Sequence, residues 1–381
     1  MIKSPPERPP QVDVIWNLTR LCGWDCSICC VDAIHVRKSA GGRALLASEA
    51  LQRVESVARK GNEDAFSAAA RHFQQRGSEL GLEAKLKILE HLEGFDVKLD
   101  ISGGDPLVLK ENWIVLSEAA RRFGASRITL TATGRGISAN KVGRLAGLIG
   151  EFNFTYDFNS SRNASSRPSG YALSNLAFAK RVKNLGIRTR AELPLTKALC
   201  SPEKLEKIYR DLRCAGIDTL LLMRLFAVGR GSTHEASTPT PANYIEAIRT
   251  LRNLEASYDG PRVKLQCALR HLDGMSVLSE NPCDLLSVSF GLMPDGTLLL
   301  SPWAIGPTGL PLSPEWVVGN LAKEPLRDLL GSAHLQELRS ALGANFGHCK
   351  VFAYKNTSSG AFAERLLSRS DPLYTAAEMD T

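Results

Sequence analysis

The sequence has no run of about 18 apolar residues, so it offers no segment that would cross a bilayer as a helix. Residues 1–10 contain four prolines and no apolar core, which is not the pattern of a secretory signal. Nine cysteines make an odd number, and four of them crowd into positions 22–30, so no disulfide framework is expected. A reducing, cytoplasmic setting is expected instead. Basic runs are missing too. The net charge of +7, from 47 Lys and Arg against 40 Asp and Glu, is spread along the chain. Nucleic acid is therefore not expected as a partner, although the sign favours an anionic cofactor or substrate. What remains is ordinary for a soluble globular protein: 44% hydrophobic and 23% charged residues in 381, enough for one large domain and a smaller one.

The most informative stretch reads Cys22-Gly-Trp-Asp-Cys26-Ser-Ile-Cys29-Cys30 and follows an apolar run at residues 12–18. The C-x3-C-x2-C spacing lets a short loop after a strand present three soft thiolates to three irons of a cubane. The fourth iron is then left for a small molecule. Cys29 is preferred to Cys30 because it keeps an apolar residue, Ile28, just before the last ligand. A structural zinc loop is the alternative for such spacing.

Downstream, the alternation of segments reads as α/β. Strands are expected at 97–101, 127–133, 152–157, 188–193 and 219–225, and helices at 114–123, 141–149, 174–185 and 202–215. A long helical stretch is expected over residues 47–92, broken around Lys60-Gly-Asn-Glu63 and longer than a crossover needs. Six strands with intervening helices imply parallel, right-handed crossovers. Directly after one strand comes Ile101-Ser-Gly103-Gly104-Asp105-Pro106. Adjacent glycines let a backbone approach a ligand closely, and the Asp105 carboxylate is suited to accept from an ammonium group. An ordinary strand-to-loop turn is the plainer alternative.

Together the two motifs resemble the radical S-adenosylmethionine (SAM) enzymes. Their cluster loop reads C-x3-C-x-Φ-C, with Ile28 here at Φ, and their strand end reads G-G-E-P. Asp105 departs from that pattern by one methylene. The resemblance implies a [4Fe–4S] cluster on Cys22, Cys26 and Cys29, with SAM chelating the free iron and Gly103, Gly104 and Asp105 holding its amino group. It implies an electron donor such as flavodoxin or ferredoxin. One-electron cleavage of SAM then yields a 5′-deoxyadenosyl radical that abstracts a substrate hydrogen. The implied fold is an open, partial (β/α)6 barrel with its site at the carboxyl ends of the strands. Thr131, Thr133, Thr155, Asp157, Glu192 and Arg224 fall at polar strand ends that contact the ribose hydroxyls or SAM carboxylate in that template. For each, a polar group satisfied by neighbours or water is the plain alternative.

Past Gly231, Ser232 to Pro241 reads as a linker and 242–254 as a helix. Cys283, Gly296 within Met-Pro-Asp-Gly, the Gly319-Asn320 pair, a helix at 325–330 and Cys349 then follow. The Asp-Gly pair is also a hairpin signal. This order is similar to the SPASM or twitch extension of the same family. Ser301 and Phe352, however, stand where ligand cysteines are expected, and only Cys267, Cys283 and Cys349 remain. An auxiliary Fe–S cluster is therefore not favoured. The thiols are read as buried and inert, or, for Cys283 or Cys349, as a hydrogen donor to a substrate radical. Cys200 and Cys214 read as structural. The expected division is 1–11 extension, 12–231 partial barrel, 232–264 linker and helix, 265–352 degenerate SPASM/twitch-like α+β region, and 353–381 tail. The resemblance implies modification of a peptide or small natural product by epimerisation, rearrangement or oxidation. The alternatives are an aminocyclitol or sugar epimerase or dehydrogenase and, from another class, a non-catalytic Fe–S or zinc-binding redox sensor.

Overall fold

The computed structural model describes residues 9–39, 41–157, 167–233, 237–273, 283, 285, 289–342 and 349–373. Parts of the expected extension, linker, SPASM/twitch-like region and tail lie outside them. Strand β1 (Gln11–Thr19) shows the two-residue period that a half-polar strand needs. Val12, Val14, Trp16 and Leu18 are buried, while Asp13 and Ile15 face the other way and are half-exposed. The short β2 (Leu21–Cys22) opens the cysteine loop. β3 (Ile34–Lys38), β4 (Arg43–Ala47) and β5 (Glu55–Ala58) join it in a separate sheet, ordered β2-β3-β4-β5. α1 (Ala65–Gln75) starts at Asp64, whose carboxylate accepts the Ser67 N–H at 2.8 Å. Its Ala68, Ala69 and Phe73 pack on Ile34, Val36, Ala44, Leu46 and Val57. α2 (Leu82–His91) then leads back to the main sheet.

This corrects the helix expected over residues 47–92. Residues 55–58 form a strand, and only 65–75 and 82–91 are α-helical. Mixed charged and apolar residues at 47–60 fit either period, and pairing with β4 decides for the strand.

The chain continues through β6 (Asp96–Gly103), α3 (Asn112–Phe123), β7 (Ile128–Thr131), β8 (Glu151–Thr155), α4 (Tyr171–Lys183), β9 (Arg188–Leu195), α5 (Pro202–Cys214) and β10 (Thr219–Arg224). The helix expected at 141–149 is a 3₁₀ segment, Ala139–Leu145. α6 (Pro241–Ser257) carries a capping box on Thr240 and delivers β11 (Arg262–Leu265) parallel to β10. The hairpin of β12 (Ser289–Leu292) and β13 (Thr297–Leu299) turns at Gly296, whose φ of 85° suits glycine. β14 (Val317–Asn320) and the short helices α7 (Leu326–Leu330), α8 (Ala333–Leu342), α9 (Lys350–Asn356) and α10 (Phe362–Leu367) complete the described chain.

The main sheet has ten strands in the order β11-β10-β9-β8-β7-β6-β1-β12-β13-β14 and stays open at both edges. Strands β1 and β6 to β11 are parallel, and β12 adds in parallel to β1. The structure is thus a mixed α/β fold with a large parallel sheet. One face packs on the helices through side chains such as Val14, Trp16, Leu99 and Ile101, none more than 1% exposed. The opposite face carries Asp13, Lys98, Asp100, Arg190 and Glu192 and lines open space. A second apolar cluster, with Phe226, Leu300, Trp316 and Tyr354, fastens the C-terminal region to the segment after β10.

Leu99 sits on the central strand β6 with no exposed surface. Leu99→Ala is expected to lower stability by about 2–5 kcal/mol in denaturant titration, through lost burial and a cavity. The exposed Leu173→Ala change is expected to stay within about 0.5 kcal/mol.

Candidate active site

The cysteine loop has little regular structure, so side chains must fix it. Asp32, fully buried with φ of 45°, is the anchor. Its carboxylate accepts from Arg20 Nη2 at 2.8 Å, Arg230 Nε at 3.1 Å and the N–H groups of Glu49 and Ala50, each at 3.1 Å. Arg230, from the turn after β10, also reaches Asp25 Oδ1 at 2.7 Å and the carbonyls of Cys26 and Ala33 at 3.1 and 2.6 Å. That turn lies against the loop. A Cβ on Gly229 would fall 2.4 Å from the Cys30 carbonyl. No local pattern marks the Asp32–Arg230 pair, because its two residues lie 198 positions apart.

Cys22, Cys26, Ile28, Cys29 and Cys30 all line one cleft at the carboxyl ends of the strands. Backbone N–H groups of Trp24 and Ala33 point at Cys22 Sγ and Cys29 Sγ, at 3.4 and 3.3 Å. Cys30 instead packs against the C-terminal apolar cluster. Burial pushes the Cys22 and Cys26 thiols up, so ligation there would release protons. Arg167 reaches Cys26 while holding Asp157 at 2.7 Å. Among the described residues, no group of three or more His, Cys, Asp or Glu side chains is arranged to hold a metal ion. In a cubane each thiolate takes its own iron, so the sulfurs need not converge on one point.

Gly103 and Gly104 line the same cleft, yet their close neighbour is the chain itself. A Cβ on either would fall 2.3 Å from the carbonyl of Thr19 or Leu21. Asp105 does not line the wall but lies fully buried behind it, accepting from Thr133 Oγ1, while its other oxygen, Oδ1, has no hydrogen-bond partner among the described residues. Burial lifts its pKa to about 6, against the donors around it. A buried carboxylate oxygen with no partner is costly, and an incoming cation would satisfy it.

Thr131, Thr133, Thr155, Glu192 and Arg224 also line the cleft, whereas Asp157 is buried behind Arg167. Thr131 donates to Asp100 at 2.8 Å and receives Asn153 at 3.2 Å. Glu192 has no hydrogen-bonded side-chain partner among the described residues, and burial raises its pKa to about 7. Arg224 is already engaged. It pairs with buried Asp371 at 2.8 Å and lies 3.3 Å above the Phe352 ring. Phe352, at the place of an expected ligand, thus packs beneath a guanidinium.

A second cavity adjoins the first across Asp100, Glu192, Met223 and Trp303. Cys267, Cys283, Cys349 and Ser301 all line it. Burial pushes the Cys349 thiol up to about 12, with the nearby Cys283 adding to the shift. Its N–H donates to Asp371 at 3.1 Å, which ties it to Arg224.

Arg230→Ala strips Asp32 of one of its two guanidinium partners. A loss of about 3–5 kcal/mol is expected, as when a buried ion pair is broken. Asp25→Ala, at an exposed partner of the same arginine, is expected to cost less than about 1 kcal/mol. Thermal and denaturant unfolding of the two variants checks this, and equal stabilities would contradict the clamp.

No family model matches the chain, and no curated protein sequence matches it. Solved structures do. SuiB of Streptococcus suis bound to S-adenosylmethionine matches with a TM-score of 0.65 at 13% identity, over 96% of this chain and 77% of SuiB. SuiB bound to its precursor peptide SuiA matches with a TM-score of 0.66 at 13% identity, over 96% and 76% of the two chains. The enzyme anSMEcpe with bound AdoMet matches with a TM-score of 0.60 at 15% identity, over 98% and 92%. At such identities the likeness is one of architecture, and the chain shares the fold of these structures.

Proposed function

We propose that the chain is a radical SAM enzyme in which Cys22, Cys26 and Cys29 hold a [4Fe–4S] cluster beside a bound SAM. The observation that carries this reading is the meeting of the three thiols, Ile28 and the Gly103–Gly104 strand end on one cleft of this fold. Together the cluster and SAM would supply a 5′-deoxyadenosyl radical, which takes a hydrogen atom from the substrate. The protein's own residues do the rest. Asp105 Oδ1 accepts from the SAM ammonium group. Thr131, Thr133 and Thr155 offer hydroxyls at the strand ends, and Glu192 offers a carboxyl at the junction of the two cavities. Arg224 acts by position, holding the C-terminal region against β10 through Asp371. The adjoining cavity takes the substrate, with Cys283 and Cys349 on its wall. The Cys349 thiol, kept protonated by burial, retains the S–H bond that a hydrogen donor needs, which favours a redox-neutral outcome such as epimerisation. SuiB is solved with a precursor peptide, so a peptide is the first substrate class to try and a small natural product the second.

Anaerobic reconstitution tests the cluster. About four irons per chain are expected, retained in Cys30→Ala and lost in Cys29→Ala and in the Cys22/Cys26/Cys29 triple alanine variant. About eight irons, or a cluster signal surviving in the triple variant, would overturn the absence of an auxiliary cluster. Cluster loss in Cys30→Ala with retention in Cys29→Ala would overturn the ligand assignment.

Asp105→Ala is expected to leave the cluster assembled and to weaken SAM binding. A hydrogen bond between charged groups contributes roughly 1.5–3 kcal/mol, or about 10- to 150-fold in affinity. Calorimetric titration giving equal SAM affinity in variant and wild type would remove Asp105 from this role.

A further inference from the structure

We propose that the outward face of the small sheet, with Arg135 beside it, docks an acidic one-electron carrier protein that reduces the cluster. The inference rests on the reading above, since it concerns the reductant of that cluster. In the ladder of the small sheet Cys22 is in register with His35, so the sheet begins one strand spacing, about 4.8 Å, from a proposed ligand. Ile34, Val36, Ala44 and Leu46 turn inward onto α1, and the alternate residues His35, Arg37 and Arg43 turn outward. Arg37 and Arg43 are exposed there, while Lys38, also exposed, pairs with Ala44 and so lies on the α1 side at the strand end. Residues 34–60 hold six Lys or Arg and two Asp or Glu, so 6 − 2 gives +4 of the chain's +7. No basic run marks the outward face in the sequence, because the pairing of β3 with β4 is what brings Arg37 and Arg43 together.

Arg135 brings the same charge onto the cysteine loop itself. It is exposed, and its guanidinium lies 4.9 Å from the Trp24 ring centroid. Its chain fills the space above Gly23, where a Cβ would come within 2.5 Å of Arg135 Cδ. Arg37, Lys38 and Arg135 make no salt bridge among the described residues, and Arg43 bonds only the hydroxyl and carbonyl of Ser56. Of the nearby acids, Asp25 is engaged with Arg230 and His35 and Glu55 with His72 and Arg76, which leaves exposed Glu49 as the one acid of residues 34–60 in no ion pair among the described residues. The result is a net cationic rim around the outer side of the cysteine loop. Such a rim steers an anionic partner and favours a small, transient, salt-sensitive contact. That is what a carrier needs when it must arrive, give one electron and leave. The carrier is oxidised by one electron and the cluster reduced by one, with no atom transferred.

The test uses the reconstituted full chain and its Arg37→Glu/Arg43→Glu variant, at two exposed residues outside the cleft. Purified flavodoxin is titrated into each by calorimetry at low and moderate salt, and 5′-deoxyadenosine formation is followed with reduced flavodoxin or with dithionite. Flavodoxin affinity is expected to fall by roughly tenfold or more in the variant, with a flatter salt dependence, as reversal of rim charges implies. The flavodoxin-driven rate is expected to fall, while the dithionite-driven rate stays level. Equal flavodoxin affinity and salt dependence in the two proteins would overturn the proposal. So would weaker binding of polyglutamate alone with flavodoxin binding unchanged, which would assign the face to other anions. No 5′-deoxyadenosine with dithionite from the wild-type protein would remove the radical SAM reading, and this inference with it.

Discussion

A single buried carboxylate, that of Asp32, holds the site in shape. The cysteine loop lacks a helix or sheet of its own between Cys22 and Ile34, so its backbone polar groups and charges need partners from elsewhere. Asp32 gathers two arginines and two backbone N–H groups, which offsets the cost of burying its charge. Through Arg230 it also binds the loop to the turn after β10, at the far side of the sheet. A similar pair, Arg224 with Asp371, fixes the C-terminal region to the end of β10. Two buried ion pairs thus join the pieces of chain that border the cleft, and a shift in either would move the thiols relative to the strand ends.

The parallel sheet explains why a polar interior is tolerated. Its helix-facing side is continuous apolar packing, which supplies the driving force for folding. Its other side is left to ligands and to a network of charges, with Arg190 bound to Glu151 at 3.1 Å and Asn153 at 3.1 Å, and Asp100 bound to Thr131. Within that network Glu192 lacks a hydrogen-bonded side-chain partner among the described residues, and it stands where the two cavities meet. In a low-dielectric site an unpaired carboxyl holds its proton to higher pH, in line with its pKa of about 7.

Much of this was legible in the sequence where the signal is local. The alternating strands at β1, β6 and β9, the hairpin at Gly296 and the helices at α3 and α5 follow from periodicity and turn residues. The cysteine loop and the Gly-Gly-Asp end also lie together, because both follow neighbouring strands. Illegible were features decided by tertiary pairing. β5 reads equally as helix until β4 lies beside it. Asp32–Arg230 and Arg224–Asp371 join positions 198 and 147 residues apart, with nothing in the local pattern to announce them. The two glycines line the cleft, and what the sequence does not announce is that they also make room for the Thr19 and Leu21 carbonyls.

The central claim is that this fold, with this cysteine loop, cleaves SAM by one-electron reduction. Anaerobically reconstituted protein, mixed with SAM and dithionite and assayed by chromatography and mass spectrometry, tests it most directly. The account predicts 5′-deoxyadenosine and methionine in the wild-type protein and neither in the Cys22/Cys26/Cys29 triple alanine variant. An intact cluster that yields no 5′-deoxyadenosine, or equal yield from the triple variant, would contradict it.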